Sequence, residues 1–324
     1  MDILIVRFSS LGDIVLTSGI IKYVKETLGD NVNMDFFTMS HFAGVFSDFP
    51  YIRNIYCINK GAGIKELNDA VRLMPEYDAV IDLHDNTRSF LTRLIFSCKS
   101  YVYDKNSFER RMFVRFRLFG GKLDKHTVEK YYAPFRYLLN LPLEARETLR
   151  PFLPCNNNNK AQSIKRVVIH PFASKRTKEW PFFADLAECL LDDGLEVCFI
   201  GEGDMDIPNG AINKIGRTSM QALVSNIASG DLLISTDSGP MHIGCALNIP
   251  VIAIFGPTTK ELGFYPDFSG VKVLENKGLK CRPCHIHGGE RCPKKHFKCM
   301  LDIGCEEVRY HANRILKNTE EEDN

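Results

Sequence analysis

The residues with most capacity for chemistry fall in turns that follow apolar runs. Asp237, Ser238 and Gly239 lie between LLIS (Leu232–Ser235) and VIAIF (Val251–Phe255). Both apolar runs read as strands of a parallel sheet covered on both faces, and the segment between them reads as a helix that tolerates Pro240 in its first turn. Such a turn joins the carboxyl end of a strand to the amino end of a helix, where free N–H groups and the helix dipole favour an anion. A plain helix cap accounts for the same residues equally well. A second turn, ASKRTKEW after RVVIHP (Arg166–Pro171), brings Ser174, Lys175, Arg176 and Lys178 to the same rim. A lysine beside a phosphate-binding helix terminus would neutralise a departing diphosphate. The third turn, SSLGD (Ser9–Asp13) after ILIVRF (Ile3–Phe8), offers a carboxylate suited to capping a helix or to accepting a proton. It holds one glycine, so the GxGxxG dinucleotide fingerprint is absent and nicotinamide or flavin chemistry is not supported.

Further candidates are less specific. YDAVIDLH (Tyr77–His84) ends in HDNTRS, which carries His84 and Arg88 to the carboxyl edge of the first sheet, and a hydrogen-bonded loop explains them as well. From Arg88 to Lys125 ten Lys or Arg face three acids, and at the centre, RRMFVRFRLFGGK, arginines including Arg110 and Arg111 alternate with apolar residues. That mixture suits anionic lipid headgroups or a phosphorylated acceptor, or else a solvated charged face. Cys281, Cys284, Cys292 and Cys299 open with a CxxC and continue with seven and then six residues between successive cysteines, a set that suits a structural zinc, reduced thiols or a disulfide. A zinc-dependent nucleic-acid module is the reading from a different class. Six scattered cysteines, Cys57, Cys98, Cys155, Cys189, Cys198 and Cys245, read as small buried hydrophobes.

The elements that must position these groups are strands alternating with helices. The fold class is therefore α/β, with two Rossmann-like parallel-sheet domains facing a central cleft. The expected layout is an amino-terminal domain over 1–155, a Pro- and Asn-rich linker over 156–164, a second domain over 165–305 with a Cys-rich loop at 281–305, a helix over 306–318 and an acidic tail over 319–324. A net charge of +1 gives no global argument for nucleic acid. No 18-residue apolar run is present and MDILIVRFSS lacks the pattern of a signal peptide, so the expected location is cytoplasmic.

LIVRFSSLGDIVLT, HPFASKRTKEWPFFADLA and STDSGPMHIGCALNIPVIAIFGPT together resemble the glycosyltransferase family 9 heptosyltransferases of lipopolysaccharide synthesis, over nearly the whole chain. The resemblance implies a GT-B architecture, an amino-terminal acceptor domain, a carboxyl-terminal domain for a nucleotide-sugar, usually ADP-heptose, and inversion at the sugar carbon with no cofactor or metal required. It implies that Asp13 is the general base and that Lys178 contacts the donor phosphates. Ser174, Glu202 or its GEGD neighbour Asp204, Met220 (or else a core methionine), Asp237, Ser238, Gly239 and His242 are then the donor side, and Ser10, Gly12, His84, Arg88, Arg110 and Arg111 the acceptor side. The expected partners are the donor, a Kdo- or heptose-bearing lipid A acceptor and the inner face of the cytoplasmic membrane, held peripherally; nucleic acid is not expected. A GT-B nucleotide-sugar-binding protein without transfer activity is the alternative.

Overall fold

The computed structural model describes residues 1–155 and 164–322. The chain runs β1 (Asp2–Val6), α1 (Leu11–Leu28), β2 (Asn33–Met39), β3 (Ile55–Ile58), α2 (Ile64–Arg72), β4 (Ala79–Asp82), α3 (Thr87–Ile95), β5 (Lys99–Val102), α4 (Ser107–Phe116) and α5 (Thr127–Leu139). It continues through β6 (Arg166–His170), α6 (Phe183–Asp192), β7 (Glu196–Phe199), β8 (Ile212–Asn213), α7 (Met220–Ala228), β9 (Leu232–Thr236), α8 (Gly239–Ala246), β10 (Val251–Phe255), β11 (Val271–Glu275), α9 (Lys298–Leu301) and α10 (Cys305–Glu322). Two compact units result, one of residues 1–106 and 125–154, the other of residues 107–124 and 155–324.

The first unit carries a five-stranded sheet in the order β3-β2-β1-β4-β5, and every pairing is parallel. β1 sits at its centre with Ile3, Leu4, Ile5 and Val6 fully buried, as a strand covered by helices on both faces requires. The second unit carries six parallel strands in the order β11-β10-β9-β6-β7-β8. Here β9 and β10 are buried along their whole length. Each sheet reverses its direction of winding beside its central strand, and the carboxyl ends of those strands are where open α/β sheets bind ligands.

The helix α1 starts at Leu11, three residues earlier than a turn ending at Asp13 suggests, so Asp13 stands inside its first turn. It packs closely enough on the chain near Arg150 that a Cβ placed on Gly19 would lie 1.9 Å from the Arg150 carbonyl oxygen. Overpacking against backbone costs about 1–3 kcal/mol, more than the roughly 1 kcal/mol that alanine returns in helix propensity. Gly19→Ala is expected to lower the urea midpoint of unfolding; an unchanged or raised midpoint would contradict this packing.

Three sequence expectations are corrected. The basic stretch 107–124 groups with the second unit rather than with the amino-terminal domain. The cause is non-local packing: Arg110 is buried with its guanidinium 5.3 Å from the ring centre of Phe264, and Arg117 Nη2 donates to the Lys280 carbonyl at 3.4 Å. The last helix continues to Glu322, through residues expected to form a tail. Among the scattered cysteines Cys198 and Cys245 are buried as expected, whereas Cys57, on the edge strand β3, is exposed. The expected linker, Ile164 apart, lies outside the described residues. Among the described residues no helix is long and apolar enough to cross a membrane.

Candidate active site

The carboxyl end of β1 in the first unit holds a buried carboxylate that is fully partnered. Asp13, at the third position of α1, accepts from the Ser10 N–H at 3.0 Å and the Ser10 hydroxyl at 2.6 Å through Oδ2. Its Oδ1 accepts from the Tyr131 hydroxyl at 2.6 Å, and Arg7 Nη2 lies 2.7 Å from Oδ2. Arg7 also donates to the Leu83 carbonyl and stands over the rings of Tyr131 and Tyr103. Burial on its own would raise the pKa of Asp13, but Arg7, Ser10 and Tyr131 outweigh it and hold the carboxyl well below the usual carboxylate range. Asp13 is thus ionised at neutral pH and only weakly basic while these partners are in place.

This depression has a consequence for stability. A group whose folded pKa is lowered contributes stability that is fully present above its unfolded value, about 4, and lost as pH falls through the folded value. The urea midpoint of the wild type is expected to drop between about pH 5 and pH 3 by more than that of Asp13→Asn. Equal drops would show that Asp13 is not held in its charged form.

His84 and Arg88 pack on Phe8, with His84 in electrostatic reach of Asp13 and Arg7. The His84 ring packs on Phe8 with centres 5.7 Å apart, and Arg88 lies 5.7 Å from the same ring while donating to the Ala62 carbonyl at 3.1 Å. Burial first, and then Arg7, push the His84 pKa down to about 4, so the imidazole is neutral at physiological pH. Ser10 is exposed and Gly12 buried, both on the same turn. The structure therefore brings Ser10, Gly12, Asp13, His84 and Arg88 together. Arg110 and Arg111 belong to the second unit, Arg110 buried and Arg111 exposed.

At the carboxyl ends of β6 and β9 in the second unit, Lys178 and Asp237 form a buried ion pair, Nζ to Oδ2, at 2.7 Å. Lys178 also donates to the Asp237 carbonyl at 3.1 Å, so among the described residues two of its three donors are committed and one remains for a ligand. Thr258 donates to Asp237 Oδ2 at 2.7 Å. Burial would raise the Asp237 pKa, but Lys178 and the hydrogen bonds from Lys178 and Thr258 outweigh it and the carboxyl is held down.

Ser238 occupies the N-cap of α8 without capping it. Its hydroxyl lies 3.1 Å from Ser235 Oγ and 3.3 Å from His170 Nδ1 instead, which leaves the first-turn amides uncapped by Ser238. Burial lowers the His170 pKa to about 4, so a neutral ring faces this anion-suited helix end. Gly201, at φ 112°, presses on that ring: a Cβ there would lie 2.7 Å from His170 Cδ2. The GEGD turn is thereby held against His170, with Glu202 exposed on it. His242 is buried on α8 and helps lower the Asp237 pKa, Ser174 is exposed, and Met220 is half-buried at the start of α7.

The Cys-rich loop braces this site. The Thr177 N–H donates to the Gly289 carbonyl at 2.9 Å, the Gly289 N–H donates back to Thr177 Oγ1 at 2.7 Å, and Lys175 pairs with Glu290 at 2.6 Å. These bonds fix the turn that carries Lys178. The expected metal ligands Cys281, Cys284, Cys292 and Cys299 do not form a metal set: among the described residues no group of three or more His, Cys, Asp and Glu could hold an ion. Arg282, between Cys281 and Cys284, is buried and bonded to the carbonyls of Gly256, Thr258 and Asn276 and to Glu275, which ties this stretch to the ends of β10 and β11. Cys299 faces the hydrophobic core beside Met300, and burial foremost raises the thiols of Cys284 and Cys299 to about 11 each.

Sequence reasoning missed Arg7, Tyr131, His170, Thr177 and Thr258. For Arg7 a signal existed: an arginine inside the apolar run ILIVRF must find a buried partner. The others sit in ordinary strand, loop and helix contexts that mark nothing.

Two parallel-sheet α/β units, one with a buried carboxylate beside its central strand and the other with a lysine at a helix end that Ser238 leaves uncapped, have the GT-B architecture. The chain belongs to glycosyltransferase family 9 (heptosyltransferase), whose model matches residues 70–285. It is 29% identical to lipooligosaccharide heptosyltransferase 2 of Campylobacter jejuni subsp. jejuni serotype O:2, covering 95% of this chain and 96% of that one. It is 26% identical to lipopolysaccharide heptosyltransferase 1 of Campylobacter coli, over 80% and 84% of the two chains. The solved structure of E. coli ADP-heptose lps heptosyltransferase II has the same fold, with a TM-score of 0.72 at 20% identity over 99% of this chain and 100% of that one.

Proposed function

We propose that the protein transfers heptose from ADP-heptose to a hydroxyl of the lipopolysaccharide inner core, on a Kdo- or heptose-bearing lipid A acceptor, with inversion and without a metal ion. The observation that carries this reading is membership of a heptosyltransferase family, with relatives named lipopolysaccharide heptosyltransferase 1 and lipooligosaccharide heptosyltransferase 2. The acceptor is a lipid component, so the protein works peripherally at the cytoplasmic membrane surface.

Asp13 takes the proton of the attacking hydroxyl as the new carbon–oxygen bond forms and the bond to the departing diphosphate breaks. Its low basicity fits this task because the attacking oxygen becomes strongly acidic as its bond to carbon forms, so even a carboxylate held down by donors from Ser10 and Tyr131 takes the proton. His84 and Arg88 line the acceptor side. Lys178, through its remaining donor, and the first-turn amides of α8 meet the charge that accumulates on ADP, which lowers the barrier rather than merely binding substrate. Asp237 keeps Lys178 in position.

Purified protein in EDTA is expected to release ADP from ADP-heptose only when a Kdo- or heptose-bearing core acceptor is present. No release with any such acceptor would overturn the reading in favour of a nucleotide-sugar-binding protein.

A further inference from the structure

We propose that the outward face of α4 and the 3-10 turn after it (Gly120–Lys122) is a docking surface for an anionic phospholipid bilayer. The proposal rests on the reading of the acceptor as a membrane lipid and names the part of the chain that meets the membrane.

Successive helical positions divide α4 into two faces. Arg110 turns inward onto Phe264, Phe113 and Val114 are half-buried, and Arg117, just past the helix, donates to the Lys280 carbonyl. Phe108, Arg111, Arg115 and Phe116 occupy the other side, and the chain then adds Leu118, Phe119 and Lys122. Phe108 is 63% exposed, Phe116 55%, Leu118 49% and Phe119 39%. Single exposed apolar residues need no explanation, but here four fall within one short segment and two of them touch, Phe108 and Phe119 having ring centres 5.9 Å apart.

Cations are interleaved with these rings. Arg115 lies 5.5 Å from the ring centre of Phe116 and Lys122 lies 5.4 Å from that of Phe119. Arg111, Arg115 and Lys122 lie on this side, and Glu109 and Asp124 are the two acids of the segment Ser107–Asp124, so the patch carries net positive charge within a chain of net charge +1. Apolar side chains that enter the acyl boundary beside cations that meet anionic headgroups are the chemistry of interfacial membrane binding. Single-stranded nucleic acid would also stack on the rings, but Leu118 offers no stacking face, and the combination fits hydrocarbon beneath a layer of phosphate better.

The test is co-sedimentation of the full chain with vesicles of phosphatidylglycerol and phosphatidylethanolamine, compared with vesicles of phosphatidylcholine alone and with a labelled oligonucleotide. Wild type is expected to bind the anionic vesicles, less so as salt rises. The triple variant Phe108→Ser, Phe116→Ser, Phe119→Ser should lose about tenfold or more in partitioning. The double variant Arg115→Gln, Lys122→Gln should lose roughly fivefold per cation. Both should keep the wild-type thermal midpoint and the wild-type rate with a soluble, acyl-free core acceptor. Wild type failing to bind anionic vesicles would overturn the membrane reading and this surface together. Wild type and variants binding equally would overturn the surface alone, and binding of the oligonucleotide in place of vesicles would assign the face to nucleic acid.

Discussion

Asp13→Asn is expected to lower kcat by about 10²- to 10⁴-fold, the range a positioned general base contributes, while ADP binding stays at the wild-type level. The substitution keeps the size of the side chain but removes the only group in the Ser10–Tyr131–Arg7 cluster that could accept the acceptor's proton. It also leaves the buried Arg7 without its counter-charge, so some loss of stability accompanies it. A pH profile separates the chemical role from the structural one. With Arg7 in place the Asp13 pKa lies well below the usual range, and kcat/KM of the wild type should show no acid limb from this group near neutrality. Arg7→Gln removes the charge that holds the pKa down, so the pKa rises and an acid limb should enter the profile at higher pH than in the wild type. An Asp13→Asn enzyme that turns over at the wild-type rate would remove Asp13 from the chemistry.

Lys178→Ala is expected to weaken ADP binding by about 10- to 150-fold, the equivalent of the roughly 1.5–3 kcal/mol of a hydrogen bond to a charged group. The same change strands Asp237 as a buried carboxylate, and breaking a buried pair costs about 3–5 kcal/mol of stability. The two losses are separable. In the double variant Lys178→Ala, Asp237→Ala no charge is left unpaired, so the urea midpoint should recover in part while ADP affinity remains low. ADP affinity recovering with the midpoint would mean that Lys178 acts only by holding the loop together. Isothermal titration with ADP alongside urea unfolding reads both quantities.

Much of this architecture is legible in the residues, because a strand covered on both faces must be apolar throughout. ILIVRF, LLIS and VIAIF therefore mark the central strands, and the turns that follow them mark the two ligand-facing rims. Edge strands carry no such mark: KSYV of β5 is largely exposed, and β8 is two residues long. The onset of α1 is obscured because Ser-Ser-Leu-Gly reads as a turn, although Leu11 and Gly12 already belong to the helix. The allegiance of α4 depends on Arg110 meeting Phe264, far along the chain, and no local pattern reports a pairing at that separation. The same limit applies to the partners of Asp13. Its own place after SSLG suggests a function, but Tyr131 arrives from α5 and the contact exists only once the sheet order is known.

The Cys-rich loop shows how spacing can mislead. Its CxxC suggests a metal, yet the residue between the two cysteines that organises the structure is Arg282, and the loop's link to the candidate site runs through Thr177, Gly289 and the Lys175–Glu290 pair. The loop thus supports Lys178 by hydrogen bonds to the turn that carries it.

Mass spectrometry of the acceptor after incubation with ADP-heptose tests the central claim most directly. Truncated cores ending in Kdo or in heptose should be offered separately, with ADP measured in the same samples. One of them is expected to gain the mass of a single heptosyl residue in step with ADP release, and that gain should disappear with Asp13→Asn. ADP release with no mass gain on any core, or a mass gain that persists in Asp13→Asn, would contradict the account.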